Sequence, residues 1–189
     1  MHKLDKIYYF IDEFNRKEFQ NLNKNISIIY RNYRNEHNYK LIKEIKEICR
    51  YQRRKFYISN NLKIALKLKL DGIYIPSFNK LCNYKNLPTK KNFEILGSAH
   101  NTIELKIKEN QGCKEIFISP IFKTKKTKFF LEIAKFNLLT NLSKNKIIAL
   151  GGINDSNFSK LCLTKSEGFA SISWIKKNGP QKWAVLNNC

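Results

Sequence analysis

A chain of 189 residues with 42% hydrophobic content has room for one domain with one packed core, and no apolar run in it approaches the roughly 20 residues of a membrane span. The formal charge of +21, from 36 Lys and Arg against 15 Asp and Glu, invites a nucleic-acid reading. The lysines are scattered along the chain rather than gathered in one arm, and Lys, Asn and Ile are abundant throughout, so the balance reads as compositional bias. Nucleic acid and membrane are therefore not expected as partners, while a basic surface still draws small anions.

The N-terminal MHKLDKIYYFIDEF is interrupted by Asp5, Asp12 and Glu13 and no small-residue cleavage site follows, so it does not read as a signal peptide. Five cysteines, Cys49, Cys82, Cys113, Cys162 and Cys189, form no C-x-x-C pair, which argues against a zinc site or a disulfide framework. Reduced thiols in the cytoplasm are expected. His2, His37 and His100 lie too far apart in sequence to suggest a metal cluster.

In chain order, residues 6–11 form an aromatic-rich strand followed by a short helix, and 26–30 a second strand that delivers Arg31. Leu41, Ile42, Ile45 and Ile48 mark an amphipathic helix over 38–52. Strand 55–58 ends in Ser59, Asn60 and Asn61, a helix covers 62–68, and Asp71-Gly72 turns into strand 73–75. Residues 78–92 read as irregular with one helical turn. Strand 93–96 closes at Gly97, Ser98, Ala99 and His100, and a helix capped by Asn101 or Thr102 ends near Gly112. Strand 116–118 ends at Ser119-Pro120; a basic loop then leads into a helix over 129–139. KIIALGGIN, 146–154, is a buried strand stopping at Gly151 and Gly152, with a helix expected over 155–164. Strand 168–172 ends at Ser173 and Trp174, and a short helix is expected after Pro180.

Eight strands alternating with helices imply parallel βα units and an α/β fold, a single compact (β/α)8 TIM barrel over residues 1–189. Its active site belongs at the C-terminal ends of the strands, with a phosphate site after strands seven and eight. Gly151, Gly152 and Ile153, then Ser173 with Trp174, are the candidate phosphate positions, with Ile172 a further candidate substrate-binding residue; equally, the glycine pair supplies only a tight turn. The strand ends are rich in hydrogen-bond donors and poor in carboxylates, which fits phosphorylated small-molecule ligands.

Four stretches, NNLKIALKLKLDGIYI, GSAH, SPIFKTKKTK and ALGGIN with EGFASIS, resemble the thiamine phosphate synthase family and its TenI (thiazole tautomerase) branch. SPIFKTKKTK is similar to the family's G-P-I-F-x-T-x-T-K loop, with Ser119 for Gly and one extra Lys. The resemblance implies an enzyme that joins a pyrimidine methyl diphosphate to a thiazole phosphate with loss of pyrophosphate, with magnesium and cationic side chains meeting the leaving charge. It makes Arg31 and Lys128 the pyrophosphate cations, and Ser98, Thr124, Thr127, Gly152 and Ser173 substrate-binding residues. His100 matches a histidine of the tautomerase branch.

The departures fall on one half of the site. The family's Gln-x-Arg-x-Lys reads Ile29-Tyr30-Arg31-Asn32-Tyr33, and both magnesium carboxylates are replaced, by Asn60 and Asn79. A neutral amide is a weak ligand for a hard cation. The first reading is a synthase-like enzyme; the alternatives are an isomerase with His100 as acid/base and a non-catalytic phosphate-ligand binder, and the extra lysine of the Lys125-Lys126 loop is a candidate to replace part of the missing metal charge. Magnesium and an oligomeric assembly stay open with them.

Overall fold

The computed structural model describes residues 4–34, 38–81, 84, 87, 92–125 and 127–178. Eight parallel strands close into a barrel in sequence order: β1 (Lys6–Ile11), β2 (Ile26–Tyr30), β3 (Phe56–Ser59), β4 (Gly72–Ile75), β5 (Glu94–Ala99), β6 (Glu115–Ile118), β7 (Lys146–Leu150) and β8 (Gly168–Ser171). The closing pair is β1 with β8, in the register Tyr8↔Ala170 and Tyr9↔Ser171. Between the strands run α1 (Arg16–Gln20), α2 (Tyr39–Tyr51), α3 (Leu62–Lys67), α4 (Thr102–Asn110) and α5 (Glu132–Asn141), with α6 (Ser173–Asn178) after β8. No described helix is long and apolar enough to cross a membrane.

Alternation along each strand splits the core in two. Outward residues such as Ile28, Ile58, Ile73 and Ile116 pack under the helices. Inward residues Tyr8, Phe10, Ile29, Tyr57, Tyr74, Leu96, Phe117, Ile148 and Ala170 fill the barrel. Five of these nine are aromatic, and large rings let so short a chain fill its interior. Phe117 takes Tyr8 edge-on at 4.9 Å and Tyr74 at 5.5 Å, and Phe10 takes Tyr74 at 5.0 Å, geometries that suit ring quadrupoles.

The N-terminal end of the barrel is plugged by charge. Tyr8 donates its hydroxyl to Glu115 at 2.5 Å, and Lys6 also reaches Glu115. Tyr57 donates to Glu94, which Lys55 holds at 2.9 Å. Burial works against the Glu94 charge, but the bonds from Tyr57 and Lys55 outweigh it and hold its carboxyl below the usual range. The polar tips of Tyr8 and Tyr57 thus find partners at this wet end of the barrel.

Several elements differ from expectation. β5 runs on through Gly97, Ser98 and Ala99. Residues 129–131 are not helical, because Leu131 N and Glu132 N donate to the carbonyls of Pro120 and Ile121 and tie the chain back, so α5 starts at Glu132. The helix expected over 155–164 is a 3-10 helix, Phe158–Leu163. Asn154 accepts from Ser156 N and Oγ, a side-chain turn that competes with helix initiation. Ser173 begins α6 rather than ending β8, since Ile172 already leaves the strand. The expected helix after Pro180 and most of the expected turn within 78–92 lie outside the described residues. Cys49 and Cys113 are free and buried, whereas Cys162 is disulfide-bonded, counter to the expectation of reduced thiols throughout.

Candidate functional site

In a closed parallel barrel all C-terminal strand ends share one face, and that face carries Arg31, Ser59, Asn60, Asn79, Ser98, His100, Ser119, Gly151 and Ile172. Arg31 follows β2, its backbone N–H donating to Ile11 O at 2.7 Å. Its guanidinium stands 4.9 Å above the Phe10 ring, on the inner wall of the barrel. Tyr74 completes this wall. Burial pushes its hydroxyl up to about 12, while a hydrogen bond with Ser98 and the charge of Arg31 pull the other way. Arg31, Phe10, Tyr74 and Ser98 therefore form one cluster at the inner end of the mouth. Arg31 and Ser98 were legible in the sequence; Tyr74 was not singled out, although the alternation Gly72-Ile73-Tyr74-Ile75 places it inside.

His100 follows β5. Its Nδ1 lies 2.7 Å from the carbonyl of Ser119 and 3.2 Å from the Ser119 hydroxyl. A carbonyl only accepts, so Nδ1 donates to it, and in the neutral ring Nε2 is the nitrogen that offers a lone pair. The backbone is set by α4: Asn101 accepts from Glu104 N, and Glu104 accepts from His100 N at 2.7 Å.

On the next strand ends, Asn79 Nδ2 donates to Asn60 Oδ1 at 2.6 Å and to the Tyr84 hydroxyl at 3.2 Å, and Asn79 Oδ1 accepts from Leu81 N. Asn60 sits at φ 56, a left-handed conformation that Asn tolerates better than most residues. Beside this pair, Tyr33 bonds the Ser59 hydroxyl at 3.1 Å and meets the Phe78 ring at 5.7 Å. The two positions expected to hold magnesium are thus amides engaged with each other. Among the described residues no group of three His, Cys, Asp or Glu could hold a metal ion. This donor set does not fit a hard divalent cation, which takes carboxylate and other oxygen ligands that are free to turn toward it.

The side expected to take phosphate is built from two loops in contact. Ile121 N and Phe122 N donate to Leu150 O and Gly151 O, which lays the 119–128 loop on the glycine pair. At Gly152, φ +76, a Cβ would fall 2.4 Å from Phe122 O and 2.6 Å from Lys123 O. The close approach that this glycine permits is thus that of the neighbouring loop. Asn157 Nδ2 donates to Gly152 O at 2.8 Å and fixes the turn. Thr124 accepts from Thr127 N at 3.1 Å and Thr127 Oγ1 donates to Phe129 O at 2.6 Å, so both threonines shape the loop itself. Lys128 is exposed beside them; Lys125 is exposed as well, and Lys126 lies outside the described residues. Ser173, exposed, starts α6, and Ile172 lines a cavity of about 400 Å³ with Phe10, Asp12 and Lys176. Trp174 anchors the turn, stacking on Phe158 at 4.5 Å and donating from Nε1 to Asp155 at 3.1 Å.

A family model described as thiamine monophosphate synthase matches residues 20–175. A thiamine-phosphate synthase of Prochlorococcus marinus strain SARG is 31% identical over 157 residues, covering 77% of this chain and 38% of that protein. One from Pelagibacter ubique is 31% identical over 143 residues, covering 74% of this chain and 69% of the relative. The chain therefore spans well under half the length of the Prochlorococcus protein. A solved thiamine phosphate pyrophosphorylase from Pyrococcus furiosus superposes with a TM-score of 0.75 at 19% identity, over 91% of this chain and 87% of the other, and shares the barrel fold.

Proposed function

We propose, because the chain belongs to the thiamine monophosphate synthase family, that it joins a pyrimidine methyl diphosphate to a thiazole phosphate. In this step the methylene C–O bond breaks, pyrophosphate leaves with the electron pair, and the thiazole nitrogen lone pair forms the new C–N bond. The observation that carries the reading is the mouth cluster, where Arg31 stands over Phe10 beside Tyr74 and Ser98. A fixed cation on an aromatic wall suits a departing anion next to a flat heteroaromatic cation.

The roles are those that the family resemblance implies for these positions. Arg31 and Lys128 meet the charge that develops on pyrophosphate, and Ser98 holds the reacting end by hydrogen bonding. Thr124, Thr127, Gly151, Gly152, Ile172 and Ser173 receive the thiazole phosphate. Asn60 and Asn79 act as neutral hydrogen-bonding groups on the pyrimidine side, and no step is assigned to magnesium. The same reading makes residues 1–189 one domain and sets the protein in the cytoplasm. Mass-spectrometric detection of thiamine phosphate from the two substrates tests it; wild-type product that is lost in Arg31→Met supports the reading, and absence of wild-type product rejects it.

A second reading rests on His100. Its fixed Nδ1–H leaves Nε2 as a base, which suits a thiazole phosphate isomerase needing neither pyrophosphate nor a metal. Proton exchange into the thiazole that survives in His100→Ala removes this reading.

A further inference from the structure

The residue least expected from its chemistry is Lys108. It lies on α4, on the outside of the barrel, and is 0% exposed. An ammonium taken out of water is expensive to hold unless its donors are matched. Here its three N–H groups meet three oxygens: Pro76 O at 2.8 Å, Asn79 O at 2.7 Å and Gln111 Oε1 at 2.9 Å. Gln111, also 0% exposed, donates to Asn79 O at 3.0 Å and to Leu81 O. The backbone of the loop after β4 is thus gripped at residues 76, 79 and 81 by two buried side chains one helical turn apart.

Room for the grip is made by Gly97. A Cβ there would lie 2.9 Å from Lys108 Cδ and 2.6 Å from Cys113 Sγ, so the lysine stem crosses β5 at the one position without a side chain, next to Ser98. What the grip fixes faces the site. The loop carries Phe78 against Tyr33 and Asn79 against Asn60, and so stitches the ends of β2, β3 and β4 together at the mouth. The ammonium holds two loop carbonyls and the Gln111 side-chain oxygen at once, and Gln111 in turn holds two loop carbonyls, which leaves the loop little freedom.

We propose that Lys108 and Gln111 are positioning residues, a buried clamp that holds the Pro76–Leu81 loop so that Asn79 meets Asn60 and the pyrimidine side of the mouth is preorganised. As a claim about ligands this rests on the function proposed above. Lys108→Met keeps the length and apolar stem of the side chain and removes the donors. It is expected to weaken affinity for the pyrimidine methyl diphosphate at least tenfold while thiazole phosphate affinity stays within twofold. Amide hydrogen exchange at residues 79–81 should quicken at least tenfold, with β5 and α4 unchanged. Lys108→Arg, which keeps the charge and donors, should recover part of both.

Equal weakening of both ligands, or unchanged diphosphate affinity, overturns the proposal. Should Lys108→Met fail to fold, Gln111→Leu takes its place with the same readouts, since it releases the Leu81 carbonyl and part of the hold on Asn79. If the wild type binds neither substrate, the functional reading fails while the exchange measurement still decides the clamp. Unchanged exchange at 79–81 overturns it whatever the ligand.

Discussion

Replacing Gly152 by Ala sets two local costs against the stability of the barrel. The residue sits at φ +76, where an L side chain is strained; that conformation costs roughly 1–2 kcal/mol. The new methyl would stand 2.4 Å from Phe122 O and 2.6 Å from Lys123 O, both backbone atoms. A carbon and an oxygen settle at roughly 3.3 Å or more, so the 119–128 loop must retreat by about an ångström, an overpacking cost of roughly 1–3 kcal/mol. Together these predict a loss of about 2–5 kcal/mol, which a domain with about 5–15 kcal/mol of stability largely survives. The retreating segment carries Thr124, Thr127 and Lys128, so thiazole phosphate affinity should fall tenfold or more. Urea denaturation and calorimetric titration measure the two effects. A stability change under about 0.5 kcal/mol with unchanged affinity would refute the argument that this loop rests on Gly152.

Other outcomes follow from the same contacts. Arg54 is 5% exposed and donates to the carbonyls of Leu22, Asn23 and Ile26, so Arg54→Met should destabilise by about 2–4 kcal/mol in urea by stranding them; a change below about 1 kcal/mol would contradict their burial. Stability should fall on both sides of neutral pH. The depressed Glu94 carboxyl contributes above its ordinary 4.5 and that share is lost as acid protonates it. Tyr8 and Tyr57, raised above 10.0 chiefly by burial, contribute below that value and lose it above, where the unfolded chain ionises. A melting temperature that is flat from pH 3 to 11 would contradict both. Removing divalent ions with a chelator should leave at least half the rate of product formation, and a fall to background would overturn the argument from the Asn60–Asn79 pair.

How much the sequence disclosed depended on how local the cause was. The strands were legible because parallel strands buried on both faces read as apolar runs, and α2 because Leu41, Ile42, Ile45 and Ile48 fall at helical spacing. Arg31, Ser98 and His100 were legible as strand-end residues. α4 shows where this stops. It buries Lys108 and leaves Ile103 72% exposed, the reverse of what hydrophobic patterning suggests. Only the gap at Gly97, on another element, decides which side chain enters. The start of α5 was hidden for the same reason, since backbone bonds to Pro120 and Ile121 set it. The role of Gly152 also depended on a distant loop, and its glycine-rich stretch alone read equally as a turn or a ligand cradle.

The most direct test of the central claim is one turnover experiment: purified protein with pyrimidine methyl diphosphate and thiazole phosphate, followed by pyrophosphate release and thiamine phosphate formation in the same sample. The site predicts the two products in equal amounts, abolished by Arg31→Met. Pyrophosphate release without thiamine phosphate, or neither product from folded protein, would contradict it.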